Sequence, residues 1–251
     1  MIIANRTQEL LLFNQMVKGS FGKRVLLIEA KSGLGKTQLL ALFQHSLPKN
    51  ILSVPVDLKT AQQGIPYIFS RVRKRLGEES FPSLNAAVRR YLKSGIEIAD
   101  TTMTGNDNQL SVVLSNDEST RNFRLTELRE AFFQDLRKIP QTLVFLFDSY
   151  EKAATELANW LEGEFLADVV DTPKLIVVIA GQKIPQPTIE WMNLHHCCCL
   201  EAISEAKAWY DYTQKAGLRL NQDQVKTAMQ ILGGEPAPIV QWLQTLAKEG
   251  Q

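Results

Sequence analysis

The sequence predicts an α/β protein, a parallel sheet of about five strands covered by helices, followed by a small all-helical region. Three observations carry this. Near-continuous apolar runs alternate with stretches of helical spacing, a glycine-rich loop joins the first run to a helix, and residues 201–248 show helical spacing only.

Residues 5–13 read as an amphipathic helix, with Leu10, Leu11, Phe13 and Met16 near helical spacing. Residues 23–30 form the first strand. The next helix follows the glycine loop and ends near Pro48, and residues 51–57 form a second strand that Pro55 assigns to the sheet rim, because proline cannot donate to a ladder. Helices are expected over 66–76 and 83–93, then an irregular polar excursion over 96–123, within which 101–122 could offer a partner-binding loop. Helical spacing returns over 125–136. Residues 142–148 and 174–181 are buried strands separated by a helix over 151–169, and 195–200 is a short fifth strand. Trp160, Trp191, Trp209 and Trp242 are read as helical anchors. The expected division is an α/β domain over 1–200 and a helical lid over 201–251.

Of 251 residues, 45% are hydrophobic and 22% charged, which suits a globular chain with a sizeable core. The 28 basic and 27 acidic side chains leave a formal charge of +1, so no global field favours nucleic acid or an anionic membrane. No apolar run approaches the about 18 residues that span a bilayer, and the N-terminus has no secretory pattern. Cys197, Cys198 and Cys199 are consecutive and cannot staple distant loops, which favours a reducing, cytoplasmic setting. For His195 to Cys199 the spacing argues against zinc and for buried small-residue strand packing.

The octapeptide Ala30-Lys-Ser-Gly-Leu-Gly-Lys-Thr37 has the composition of a phosphate-binding loop, with alanine where the usual pattern starts with glycine. Gly33 and Gly35 let successive N–H groups point inward at a helix N-terminus, which solvates phosphate oxygens. Ser32, Leu34 and Gln38 complete the stretch. Lys36 supplies a point charge to the outer phosphates, and the Thr37 hydroxyl can reach a magnesium ion that shares the phosphates. Asp148 ends a buried strand and is expected on the same metal. A carboxylate that orients water usually follows such an aspartate, yet Ser149 stands there, so Glu151 is the nearest candidate, with a helix-terminus role as the equal alternative. Gln182 or Lys183 ends the fourth strand, where a polar side chain could sense the terminal phosphate. That loop holds no arginine.

With these residues in place the chain resembles the STAND branch of the P-loop NTPases, signal-transducing ATPases related to AAA+ proteins. Arg6 with Glu9 and Leu10 is similar to the family's Arg-x-x-Glu-Leu motif, Ser32 to Thr37 to its phosphate loop, Leu146 to Glu151 to its acidic strand end, and Gly234-Glu235-Pro236 to the Gly-x-Pro of its lid. The resemblance implies a P-loop NTPase three-layer fold binding ATP and Mg2+, with Arg6 near the base, Lys36 and Thr37 on phosphates and metal, Asp148 on the metal and Pro236 on the lid side of the base. It implies a switch whose lid or oligomeric state follows ATP or ADP, and two departures from the family, Ser149 for the common second acid and Gln182 where relatives often have arginine, point to slow hydrolysis or tight nucleotide retention with Lys36, Asp148 and Glu151 as the catalytic set. Partners would be a separately encoded effector or sensor protein, in signalling or defence, and further copies of the chain. Arg121, Arg124 and Arg129 are candidates for an arginine supplied across such a contact. An AAA+-like loader on DNA is the alternative, using Arg71, Arg73, Lys74 and Arg75 with Arg89, Arg90 and Lys93. A small-molecule kinase, which would need an acceptor site, is made weaker by the Gly-x-Pro of the lid and the long separation between Lys36 and Asp148.

Overall fold

The computed structural model describes residues 2–61, 64–93 and 118–249. Its centre is a five-stranded parallel sheet in the order β2-β3-β4-β1-β5, comprising β1 (Val25–Glu29), β2 (Leu52–Asp57), β3 (Leu143–Asp148), β4 (Leu175–Gly181) and β5 (His195–Cys199). Every residue of β4 is buried, as a central strand covered on both faces requires.

Alternation along the strands sorts side chains to two cores. Val25, Leu27, Phe145, Phe147, Val177 and Ile179 face one, which is covered by α3 (Ile65–Leu76), α4 (Pro82–Lys93) and α5 (Glu118–Lys138). The same core takes in α6 (Thr155–Trp160), which runs through the π-helical turn Leu161–Phe165 into α7 (Leu166–Val170). Leu26, Ile28, Val144, Leu146, Ile176 and Val178 face the other, covered by α1 (Thr7–Val17) and α2 (Lys36–Ser46), where Phe13 and Phe43 stack with centroids 4.2 Å apart. A fully buried phenylalanine is worth about 1.5–3 kcal/mol, so the pair fixes α1 firmly on α2.

The C-terminal helices α8 (Ala206–Lys215), α9 (Gln222–Leu232) and α10 (Pro236–Glu249) enclose a third cluster around Ile203, Trp209, Val225, Ile239 and Leu243, which Ala4 also joins. Gly233 takes a left-handed C-cap, and Gly234 has φ +79° with its Cα facing the Ile203 carbonyl so closely that a Cβ would lie 2.6 Å from that oxygen. Only glycine makes this turn into α10.

Several expectations change. Helix α5 begins at Glu118, so the end of the excursion is helical, while the stretch 96–117 lies outside the described residues. After β3 the chain makes a 3-10 turn, Tyr150–Lys152, before α6 starts at Thr155. Trp191 precedes the 3-10 turn Met192–Leu194 rather than lying in a helix; it is fully buried and donates to the Glu162 carbonyl at 2.8 Å. Strand β5 is not a buried small-residue strand: it occupies the sheet edge, with Cys197 and Cys199 exposed and only Cys198 packed against the core. Burial pushes the Cys198 thiol up to about 11.

Strand β2 forms the other edge, where Pro55 is tolerated. Arg71 and Arg75 donate to its Pro55 and Ser53 carbonyls at 3.4 and 3.0 Å, and Arg73 is buried beside Glu78. Two members of the basic run are thus spent on covering an edge strand and a third is buried beside a carboxylate, uses that need no nucleic acid.

Candidate functional site

Parallel strands deliver their C-terminal ends to one rim, and the first, third and fourth strands meet there as neighbours through β4. Loop 30–35 leaves β1 at this rim. The Ala30 N–H continues the ladder to the Gly181 carbonyl at 3.0 Å, and its methyl is buried in the core of α1 and α2, so a small residue with ordinary backbone geometry serves where glycine is usual. Gly33 and Gly35 have φ +84° and +87°, which side-chain-bearing residues rarely adopt. Helix α2 then starts at Lys36, with the Leu39 N–H bonded to the Gly35 carbonyl.

The Lys36 ammonium folds onto the loop, donating to the Ala30 and Lys31 carbonyls at 2.7 and 2.9 Å. The Thr37 hydroxyl donates to Asp148 Oδ2 at 2.6 Å across 111 residues, while Asp148 Oδ1 accepts from the Ser149 N–H at 2.8 Å. Hydroxyl and carboxylate oxygens therefore converge at the first turn of α2, a hard-donor set suited to magnesium. Among the described residues, no cluster of three or more His, Cys, Asp or Glu could hold a metal.

Ser149 has φ +61° and ψ 43°, left-handed for a residue with a side chain. This bend directs the 3-10 turn back across the strand ends. Glu151 then accepts from the Gln182 backbone N–H at 2.9 Å through one oxygen and from its side-chain amide at 3.2 Å through the other. Burial pushes the Glu151 carboxyl up, but the donors from Gln182 and its own backbone, with the charge of Lys36, outweigh that and hold it below the usual glutamate range. Gly181 makes the approach possible: a Cβ there would lie 2.2 Å from the Lys183 carbonyl oxygen and 3.0 Å from Glu151 Oε2.

The helical region closes the other side. The Ala237 N–H in the first turn of α10 donates to the Gly33 carbonyl at 3.1 Å, and the Ile203 N–H to the Gly234 carbonyl at 2.9 Å. Arg6 ties three segments together: its guanidinium donates to the Leu34 and Glu201 carbonyls at 3.0 Å each and pairs with Glu9 at 3.3 Å.

Between them lies a cleft of about 720 Å³, within the usual size of small-molecule sites. Its walls include Arg6, Ser32, Gly33, Leu34, Gly35, Lys36, Thr37, Gln38, Asp148, Glu151, Gln182 and Pro236, whereas Lys183 does not line it. Sequence reasoning missed the far end, where Ile2, Ile3, Ile203, Tyr212, Val240 and Gln241 line the cleft. For Tyr212, Val240 and Gln241 the linear signal is the helical spacing of the last fifty residues, whereas Ile2, Ile3 and Ile203 lie outside the helices. Arg129 is not at the cleft; it is bound within the chain to Glu164 and Asp168. Arg124 lies over the Tyr91 ring, 5.1 Å from its centroid, and the side chain of Arg121 is outside the described residues.

No family model matches the sequence, and no curated protein does. Solved structures do resemble it. A Walker-type ATPase of Pyrococcus abyssi has a TM-score of 0.56 at 12% identity, over 99% of this chain and 69% of that one. A signal transduction ATPase with numerous domains (STAND) from Pyrococcus horikoshii, which carries a tetratricopeptide repeat sensor, has a TM-score of 0.58 at 13% identity, over 94% of this chain and 29% of that one. The Orc1 protein of Aeropyrum pernix, solved with DNA, has a TM-score of 0.46 at 10% identity, too slight a likeness to weigh. Such identities speak for the fold alone, and the fold is that of the P-loop NTPases. Among the described residues no helix is long and apolar enough to cross a membrane.

Proposed function

We propose that this chain is an ATP-binding, slowly hydrolysing switch in which the helical region 201–251 acts as a lid on the α/β domain 1–200 and responds to the phosphate loop. The observation that carries the reading is the pair of ties from loop to lid, Ala237 N–H on Gly33 and Arg6 across Leu34 and Glu201. A ligand in this cleft touches both bodies at once.

In this reading the loop N–H groups and the N-terminus of α2 receive the phosphates, and Lys36 moves its ammonium from the Ala30 and Lys31 carbonyls to the outer phosphate oxygens. Thr37 and Asp148 would hold Mg2+, which when bound neutralises charge on the phosphates. Glu151 is the nearest carboxylate able to orient a water, but Gln182 occupies both its oxygens, and Ser149 offers no second acid. Turnover is therefore slow until Glu151 is released, with further copies of the chain as the source of any arginine. The Walker-type and STAND structures named above are both described as ATPases, one of them in signal transduction, which supports a signalling role with separately encoded partners. Arginines spent on the edge of β2 speak against a DNA-loading role.

The test is phosphate release from ATP across a concentration series, with bound nucleotide identified after denaturation and Lys36→Ala and Asp148→Ala as controls. Slow release, or retained nucleotide, that both substitutions abolish is the expected result. A folded wild-type protein that neither binds nor hydrolyses ATP would refute the reading.

A further inference from the structure

We infer that the nucleotide base is read by the lid itself, through the Gln241 and Gln244 side chains of α10, and that these select adenine over guanine. This rests on the nucleotide-binding reading above and goes beyond it by naming the groups that set base identity.

The cleft is chemically divided. Its carboxylates, Asp148 and Glu151, stand at the phosphate end, engaged with Thr37 and Gln182. Ile3, Ile203, Pro236 and Val240 add an apolar part to the lining, which suits the faces of a planar base. Ala237, Val240, Gln241 and Gln244 recur at i, i+3, i+4 and i+7 of α10, so one face of the helix turns to the cleft and presents both amides beside the apolar wall. Gln244 lines the cleft together with Tyr212, and among the described residues the Gln241 side chain has no hydrogen bond. Both glutamines are exposed to the cleft mouth.

A glutamine amide offers a donor and an acceptor together, the pattern complementary to the N6 amino group and a ring nitrogen of adenine. Guanine presents adjacent N–H donors on its pairing edge, which a carboxylate would receive best, and no carboxylate lines this end. Because α10 is bonded to the phosphate loop through Ala237 and Gly33, reading the base and sensing the phosphates are functions of one helix. A guanine nucleotide would fill the phosphate end while leaving α10 poorly engaged.

The test measures binding of ATP, GTP and inorganic tripolyphosphate, each with magnesium, to wild type, Gln241→Leu, Gln244→Leu, the double variant and Lys36→Ala, with thermal unfolding of each. The wild type should prefer ATP to GTP by about tenfold or more, and leucine substitution should bring the ratio toward one while leaving tripolyphosphate binding unchanged. Equal ATP and GTP affinity in the wild type, or a preference that survives the double substitution, overturns the inference; tripolyphosphate binding that still depends on Lys36 would then leave the phosphate site standing. Loss of all three ligands in a folded wild type overturns both. Should the double variant unfold, Gln241→Leu carries the test, since that side chain is exposed and supports no core packing.

Discussion

Replacing Arg6 with alanine removes the clasp between the N-terminal helix, the phosphate loop and the start of the lid. Two guanidinium bonds of 3.0 Å are lost, to the Leu34 and Glu201 carbonyls, together with the 3.3 Å contact to Glu9. Bonds from a charged donor contribute about 1.5–3 kcal/mol each, and solvent at the Glu201 end holds that bond to the lower figure or less. An i,i+3 ion pair adds about 0.3 kcal/mol. The sum is about 3 kcal/mol, or a fall of about 6–12 °C in apparent Tm for a chain of this size. Arg6→Lys should recover less than half, because one ammonium nitrogen lacks the rigid planar geometry that sets Nη2 on both carbonyls and Nη1 on Glu9 at once. Thermal and urea unfolding measure the loss, and amide exchange locates it at the Leu34 turn and the first turn of α10. An alanine variant within about 0.5 kcal/mol of wild type, with unchanged exchange at both places, would refute the reasoning.

Gly181→Ala should destabilise the fold by about 1–3 kcal/mol and break the Glu151–Gln182 contact, because the added methyl meets a backbone oxygen that cannot move aside; unfolding indistinguishable from wild type would contradict this. The Glu151 contact should also carry a pH signature. Its carboxyl is depressed in the folded chain, so the contact is complete above the ordinary glutamate range and is lost as pH falls through the lowered value. The Gln182 amide resonances should titrate with a midpoint below 4.5, and a midpoint above it would show that burial outweighs the donors.

The glycine-rich loop between β1 and α2 was legible because its pattern is local: two glycines with positive φ, a lysine and a threonine fall at fixed spacing. The strand ending in Asp148 was legible for a similar reason, since residues buried on both faces form an unbroken apolar run. The Glu151–Gln182 pair was not legible, because only the placement of β4 beside β3 brings residues 31 apart together. Arg6 was singled out by a motif that implied the base, yet its partners are backbone carbonyls from two distant segments, and main-chain acceptors have no sequence signature. The cysteines of β5 misled because an apolar run reads alike at the centre and the edge of a sheet, and strand order decided the exposure. That Arg71 and Arg75 of the basic run of α3 cover an edge strand was not legible, since strand order is a tertiary fact.

The central claim is that one ligand engages loop and lid together, and amide hydrogen exchange with and without ATP and magnesium tests it most directly. The account predicts slower exchange at both residues 33–37 and Ala237 in the wild type, and at neither in Lys36→Ala. Protection confined to the loop, or protection of Ala237 that persists without Lys36, would contradict it.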